Sequence, residues 1–327
     1  MNCHIDGYKM SWPIFNWKLL AALTAVYFVW GSTYLAIRVA VVAIPPLLAA
    51  GARFLIAGML LYGWSRLRHE APPQKGHWPN LWLMGALMFL ICYAALFWAE
   101  KTIPSGIASA LSAMLPAWML ILEVTVLKTQ RLTFPLAIAL ISGFAGVVLL
   151  TGGSGSAGGS IPWLPSVAIL VSGISWAAGS TLSKKLSLPA SPGISAGAQM
   201  ICGGCLLLAS SGLFGEWRHL KPVPPSAFFA MLYLIVAGSL IAYRSYVWLL
   251  GRMSPTKVSS YAYVNPVVAL GLGYLVAGEA LHANAIAGAA LVLASVFLIL
   301  SQRASGPTKV RSPKGQAESV EADLLEV

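Results

Sequence analysis

The stretch SSYAYVNPVVA, Ser259 to Ala269, places two tyrosines, an asparagine and a proline side by side inside an otherwise apolar run. Proline removes a backbone donor and its ring clashes with the preceding turn, so a helix through Pro266 is expected to bend or break. Free backbone carbonyls at membrane depth are tolerated only where they line a cavity or pack in protein. A second copy lies 150 residues earlier: SAMLPAWML, Ser112 to Leu120, sets Pro116 in the same way. Pro116 and Pro266 are therefore expected as paired helix bends, and two bent segments in matching places point to an internal repeat.

Composition puts these segments in a bilayer. Of 327 residues, 58% are apolar and 9% charged, against about 25% charged in an average soluble domain. Ten runs approach the roughly 20 apolar residues a span needs, at about 18–38, 44–65, 79–99, 103–127, 134–151, 163–183, 194–214, 227–250, 255–278 and 281–301. The first lacks a small-residue cleavage site and reads as a retained span. With the N-terminus cytoplasmic, the inner segments carry most of the cations, among them Arg66, Lys128, Lys184, Lys185 and Arg252, and the outer ones only Arg38, Lys101, Arg218 and Lys221. That asymmetry obeys the positive-inside rule and predicts both termini inside. The net charge of +11 is thus read as topology with some attraction to anionic lipid, and no nucleic acid partner is expected. Cys3, Cys92, Cys202 and Cys205 offer neither a disulfide framework nor a second ligand pair, and they read as small packing residues.

Sliding the chain on itself exposes the repeat. At an offset of 146, Trp30 meets Trp176, Gly51 meets Gly197, Arg53 meets Gln199 and Gly58 meets Gly204. At 150, Tyr93 meets Tyr243, Trp98 meets Trp248 and Pro116 meets Pro266. The expected organisation is a cytoplasmic segment 1–17, a first repeat 18–151, a Gly/Ser linker 152–162, a second repeat 163–301 and a polar tail 302–327. Five spans per half is an odd number, so the halves insert with opposite orientation. The expected fold is an all-α membrane protein of ten transmembrane helices in two inverted five-helix repeats, an architecture used by secondary transporters.

The chemistry argues in the same direction. No aspartate falls in a span, and all five histidines lie in tails, loops or span edges. No catalytic triad, metal cluster or cofactor motif can be assembled, and a membrane-embedded enzyme or a scaffold is the alternative of a different class. Arg53 is the deepest ionisable group, too far from either interface to snorkel easily, and reads either as a solute contact or as a structural group that caps free carbonyls or pairs with an acid. Arg244 and Glu123 read as structural. Tyr261 and Asn265, four residues apart, share a helix face and present polar tips to one space. Trp30, Tyr34, Tyr93 and Trp176 join them as candidate solute-binding residues. An apolar wall with a few polar tips suits an amphipathic organic solute better than a bare ion.

The motifs WGSTYLAIR, ARFLIAG, IPSGIAS and SSYAYVNPVVA, with GEAL at residues 278–281, resemble the EamA family of the drug/metabolite transporter superfamily over roughly residues 18–301. That resemblance implies a ten-helix permease working by alternating access, exporting metabolites such as amino acids or drug-like solutes across the inner membrane. An importer of the same architecture is the alternative. Expected partners are a small-molecule solute and membrane lipid, with a homodimer left open.

Overall fold

The computed structural model describes residues 17–128, 132–152, 162–220, 222–253, 255–279 and 283–301. The linker and tail read from the sequence fall almost wholly outside these residues. The described chain is all helical. Its apolar segments, in order, are α1 Trp17–Ala43, α2 Pro46–Leu67, α3 Lys75–Ala99 and α4 Ser105–Val126, then α5 Phe134–Gly152. The second series is α6 Trp163–Leu182, α7 Pro192–Leu213, α8 Pro225–Leu250 and α9 Ser259–Ala277, then α10 Ala283–Ser301. Among the described residues, 8 are long and apolar enough to cross a membrane, while the apolar stretches within α5 and α10, Phe134–Gly146 and Ile286–Ser295, are shorter. Large apolar side chains such as Phe134, Ile141, Leu232 and Leu275 stand exposed on the outside of the bundle. In water that surface would be costly; in lipid it is the solvated face.

Small residues set the central packing. A Cβ added to Gly204 would lie 2.6 Å from the backbone nitrogen of Leu55, one at Gly58 2.8 Å from that of Ile201, and one at Gly197 2.8 Å from that of Tyr62. The contacts step backwards along α7 as they step forwards along α2, so these helices run antiparallel with their backbones almost touching. Helix association in lipid relies on such close approach. The same register joins α5 to α10, where Gly143 faces Ser295 and Gly146 faces Val292.

Both proline segments are broken on the N-terminal side of the proline. In α4, a helical stretch Ser105–Ser112 gives way at Ala113 and Met114 to a second stretch, Leu115–Leu122, with Pro116 in its first turn. A short helix, Pro255–Val258, and a 3₁₀ stretch, Ser259–Tyr263, precede Val264–Ala277, which carries Pro266 in its first turn. Proline is tolerated there because the first-turn amides have no intrahelical acceptor. Three other helices contain π-helical turns, at Ala25–Val29, Ala86–Ile91 and Leu234–Tyr243. Such turns rotate the side chains that follow and are frequent near functional sites. Here they immediately precede or include Trp30, Cys92, Tyr93 and Tyr243.

Candidate functional site

Six of the seven expected solute-binding residues line one cavity: Trp30 and Tyr34 from α1, Tyr93 from α3, Trp176 from α6, and Tyr261 and Asn265 from α9. Both halves of the chain contribute. Thr33, Cys92, Ser112 and Ser172 add small polar groups to the same wall. The cavity measures about 70 Å³, well under the roughly 300–1,000 Å³ of a pocket that encloses an organic ligand. This conformation therefore holds the site contracted.

The polar tips around it are unevenly satisfied. Trp30 donates from Nε1 to the carbonyl of Gly238 at 3.1 Å, and Trp176 donates from Nε1 to the Tyr246 hydroxyl at 3.1 Å. Asn265 is buried, and its Oδ1 has no hydrogen-bond partner among the described residues. An orphaned acceptor in a cavity wall is where a solute donor gains most, because a buried polar atom left unpaired is costly.

Arg53 stands behind this wall and does not line the cavity. It is 1% exposed; its Nε donates to Ser239 Oγ at 3.0 Å, and its guanidinium lies over the rings of Phe54 and Tyr93 at 4.6 and 5.3 Å. One guanidinium nitrogen, Nη1, has no hydrogen-bond partner among the described residues. Gln199, the position matched to Arg53 in the second half, accepts from the Tyr243 hydroxyl at 2.7 Å. Tyr243 is itself matched to Tyr93, so each half places a polar residue of its second helix against a tyrosine of its third.

A partition of rings separates the cavity from a second, wider space. Tyr246 is fully buried, with its ring 5.0 Å from Trp30, 5.2 Å from Trp176 and 6.1 Å from Tyr261. The second space is a vestibule of about 580 Å³ lined by Lys184, Gln199, Tyr243, Trp248 and Arg252, among others. Trp176, which lines the cavity, and Tyr243, which lines the vestibule, meet edge to face with ring centroids 6.0 Å apart, and Tyr246 packs against both. The sequence reading missed Tyr246. It is three residues from Tyr243 on the same helix face, but a tyrosine near a span end also fits an interfacial belt.

The opposite end is closed by polar contacts. At the end of α9, Gly278 adopts φ +64°, a left-handed turn that glycine takes without steric cost, and Glu279 follows it. The Glu279 carboxylate accepts from the backbone nitrogen and the hydroxyl of Ser105, at 2.9 and 3.0 Å, at the start of α4. Arg38 Nε lies 3.7 Å from the same carboxylate, while Arg38 Nη1 donates to the carbonyls of Glu100 and Ile103 at 2.7 and 2.8 Å. The helix start welcomes the anion by its dipole.

The model of the EamA-like transporter family matches this chain twice, over residues 16–152 and 163–301. The chain belongs to that family. The double match shows the duplicated repeat independently of the residue pairing. Among relatives, this EamA-like transporter is 39% identical over 268 residues to the inner membrane transporter YedA of Escherichia coli K12, covering 80% of this chain and 84% of that one. It is 29% identical over 301 residues to the protein PecM of Dickeya dadantii, covering 89% and 95%. A WAT1-related chloroplastic protein of Arabidopsis thaliana is 26% identical, with 90% of this chain and 70% of that one covered. A crystal structure 20% identical in sequence superposes with a TM-score of 0.62 over 88% of this chain and 99% of that one, a likeness of fold alone. The multi-pass bundle is thus that of a membrane transporter.

Proposed function

We propose that the protein is a secondary transporter that exports small metabolites, amino acids or amphipathic drug-like solutes, across the inner membrane by alternating access. Ten spans in two inverted five-helix repeats, with both termini cytoplasmic, carry the motion. The observation that supports this most is the cavity walled jointly by the two halves, with the unpaired Asn265 Oδ1 in its wall. Relative movement of the halves would enlarge such a cavity on one side at a time. The Glu279–Ser105 contacts serve as the outer closure, and the ring partition at Tyr246 as the inner one. Solute is held by Trp30, Tyr34, Tyr93, Trp176, Tyr261 and Asn265, and Arg53 shapes the wall by fixing Tyr93. Kinship to a relative named as an inner membrane transporter supports the location.

The test is metabolite profiling of cells that express the protein, followed by flux from loaded proteoliposomes. An exported solute whose flux falls in Asn265→Ala and Arg53→Ala, at unchanged protein level, fits the proposal. Net accumulation inside instead would make it an importer. Flux of every identified solute unaffected by both substitutions would remove the assigned site.

A further inference from the structure

Glu100 ends α3, one residue past its last span residue, and its backbone nitrogen still donates to Leu96 at 3.0 Å. Leu96 lines the central cavity, so Glu100 sits one helical turn beyond it, towards the Glu279 closure. It is fully buried, and neither carboxylate oxygen has a hydrogen-bond partner among the described residues. The nearest cation is engaged elsewhere: Arg38 spends its Nη1 on the carbonyls of Glu100 and Ile103 and turns its Nε to Glu279. The other charged groups described around it are Glu279 and, farther off, Arg53, which is held by Ser239; Tyr34 is a further neighbour. An ionised carboxylate with no partner in such surroundings is strongly disfavoured, and protonation relieves the cost. Burial pushes Glu100 well above the usual carboxylate range, with Arg38 opposing, Glu279 reinforcing and Arg53 opposing.

From this geometry we infer that Glu100 is a proton-binding site on the transport path, holding a proton while the outer closure is shut and releasing it when that closure opens. The inference rests on the transporter reading for its consequence, though not for its test. Opening draws Glu279 from Ser105 and frees Arg38 from the two carbonyls. Water then reaches Glu100, its O–H bond breaks, the proton passes to that water, and the carboxylate left behind pairs with the freed Arg38. Acid on the outer side therefore favours the shut state and alkali the open one, because the shut state binds the extra proton.

The experiment is infrared titration of the purified, lipid-reconstituted protein, which needs no solute. The expected result is the carbonyl band of a neutral carboxylic acid near neutral pH, lost in Glu100→Gln. Its titration midpoint is expected to move to lower pH in Glu279→Gln, which removes a neighbouring negative charge and leaves Arg38 free to pair. A wild-type protein without that band, a band that survives in Glu100→Gln, or a midpoint unmoved in Glu279→Gln would overturn the inference. Absence of any solute flux would sink the transporter reading while leaving the infrared result to decide Glu100.

Discussion

Glu70 and Glu216 serve each other's helix. The Glu216 carboxylate, just beyond the end of α7, accepts from the backbone nitrogens of Leu47 and Leu48 at 3.3 and 2.8 Å, at the start of α2. Glu70, just beyond the end of α2, accepts from the Ser191 hydroxyl at the start of α7, and Ser191 in turn caps Ile194 at 3.2 Å. The two acids are 146 residues apart, the offset that matches Pro46 to Pro192. Two antiparallel helices packed side by side produce this exchange, because the end of each lies beside the start of the other.

Removing Glu216 leaves two helix-start amides without their acceptor, and removing Glu70 takes the acceptor from the Ser191 hydroxyl that caps Ile194. Glu216→Ala and Glu70→Ala are each expected to lower stability by about 1 kcal/mol. The sites are roughly 30 Å apart along a 22-residue helix, so the double variant is expected to lose about the sum. Denaturant unfolding in detergent checks this; a cost at one site only would break the reciprocity.

The α2–α7 seam is expected to tolerate nothing larger than glycine at its closest point. Gly204→Ala drives a methyl towards the Leu55 backbone and is expected to cost about 1–3 kcal/mol. Gly63, with nothing within 4 Å of an added Cβ, provides the contrast, and Gly63→Ala is expected to gain up to about 1 kcal/mol from helix propensity. Opposite shifts in thermal midpoint are the readout.

Asn265 separates a binding role from a packing one. Its Oδ1 has no partner to lose among the described residues, so Asn265→Leu is expected to leave folding stability unchanged or raised. Solute KM is expected to rise about 10-fold, in line with one lost hydrogen bond. Destabilisation with unaltered KM would assign the residue to packing instead.

Tyr246 is expected to divide into ring and hydroxyl effects. Tyr246→Phe keeps the partition but strands the Trp176 indole nitrogen, costing about 1–3 kcal/mol. Tyr246→Ala removes the ring that packs against Trp176 and Tyr243, where cavity and vestibule meet, and is expected to raise passive leak of solute through closed protein. Leak rates in loaded vesicles distinguish the two.

Much of the bundle was legible from the chain because the bilayer imposes a one-dimensional rule. Apolar length locates spans, and proline in an apolar run marks a break. The breaks at Pro116 and Pro266 and the glycine pairs on α2 and α7 could be read that way. Convergence could not. Helices apolar on every side carry no stripe to say which face turns inward, so nothing local showed that Trp30, Tyr93, Trp176 and Asn265 meet while Arg53 stays behind the wall. Nor did it show that Tyr246 packs against the rings where two spaces meet, or that Glu100 loses its water. Those facts depend on helix rotation, set by close contacts between segments more than a hundred residues apart. The sequence by itself determined that a duplicated, membrane-spanning helical chain would form; only tertiary packing decided which of its few polar groups face one another and which are left without a partner.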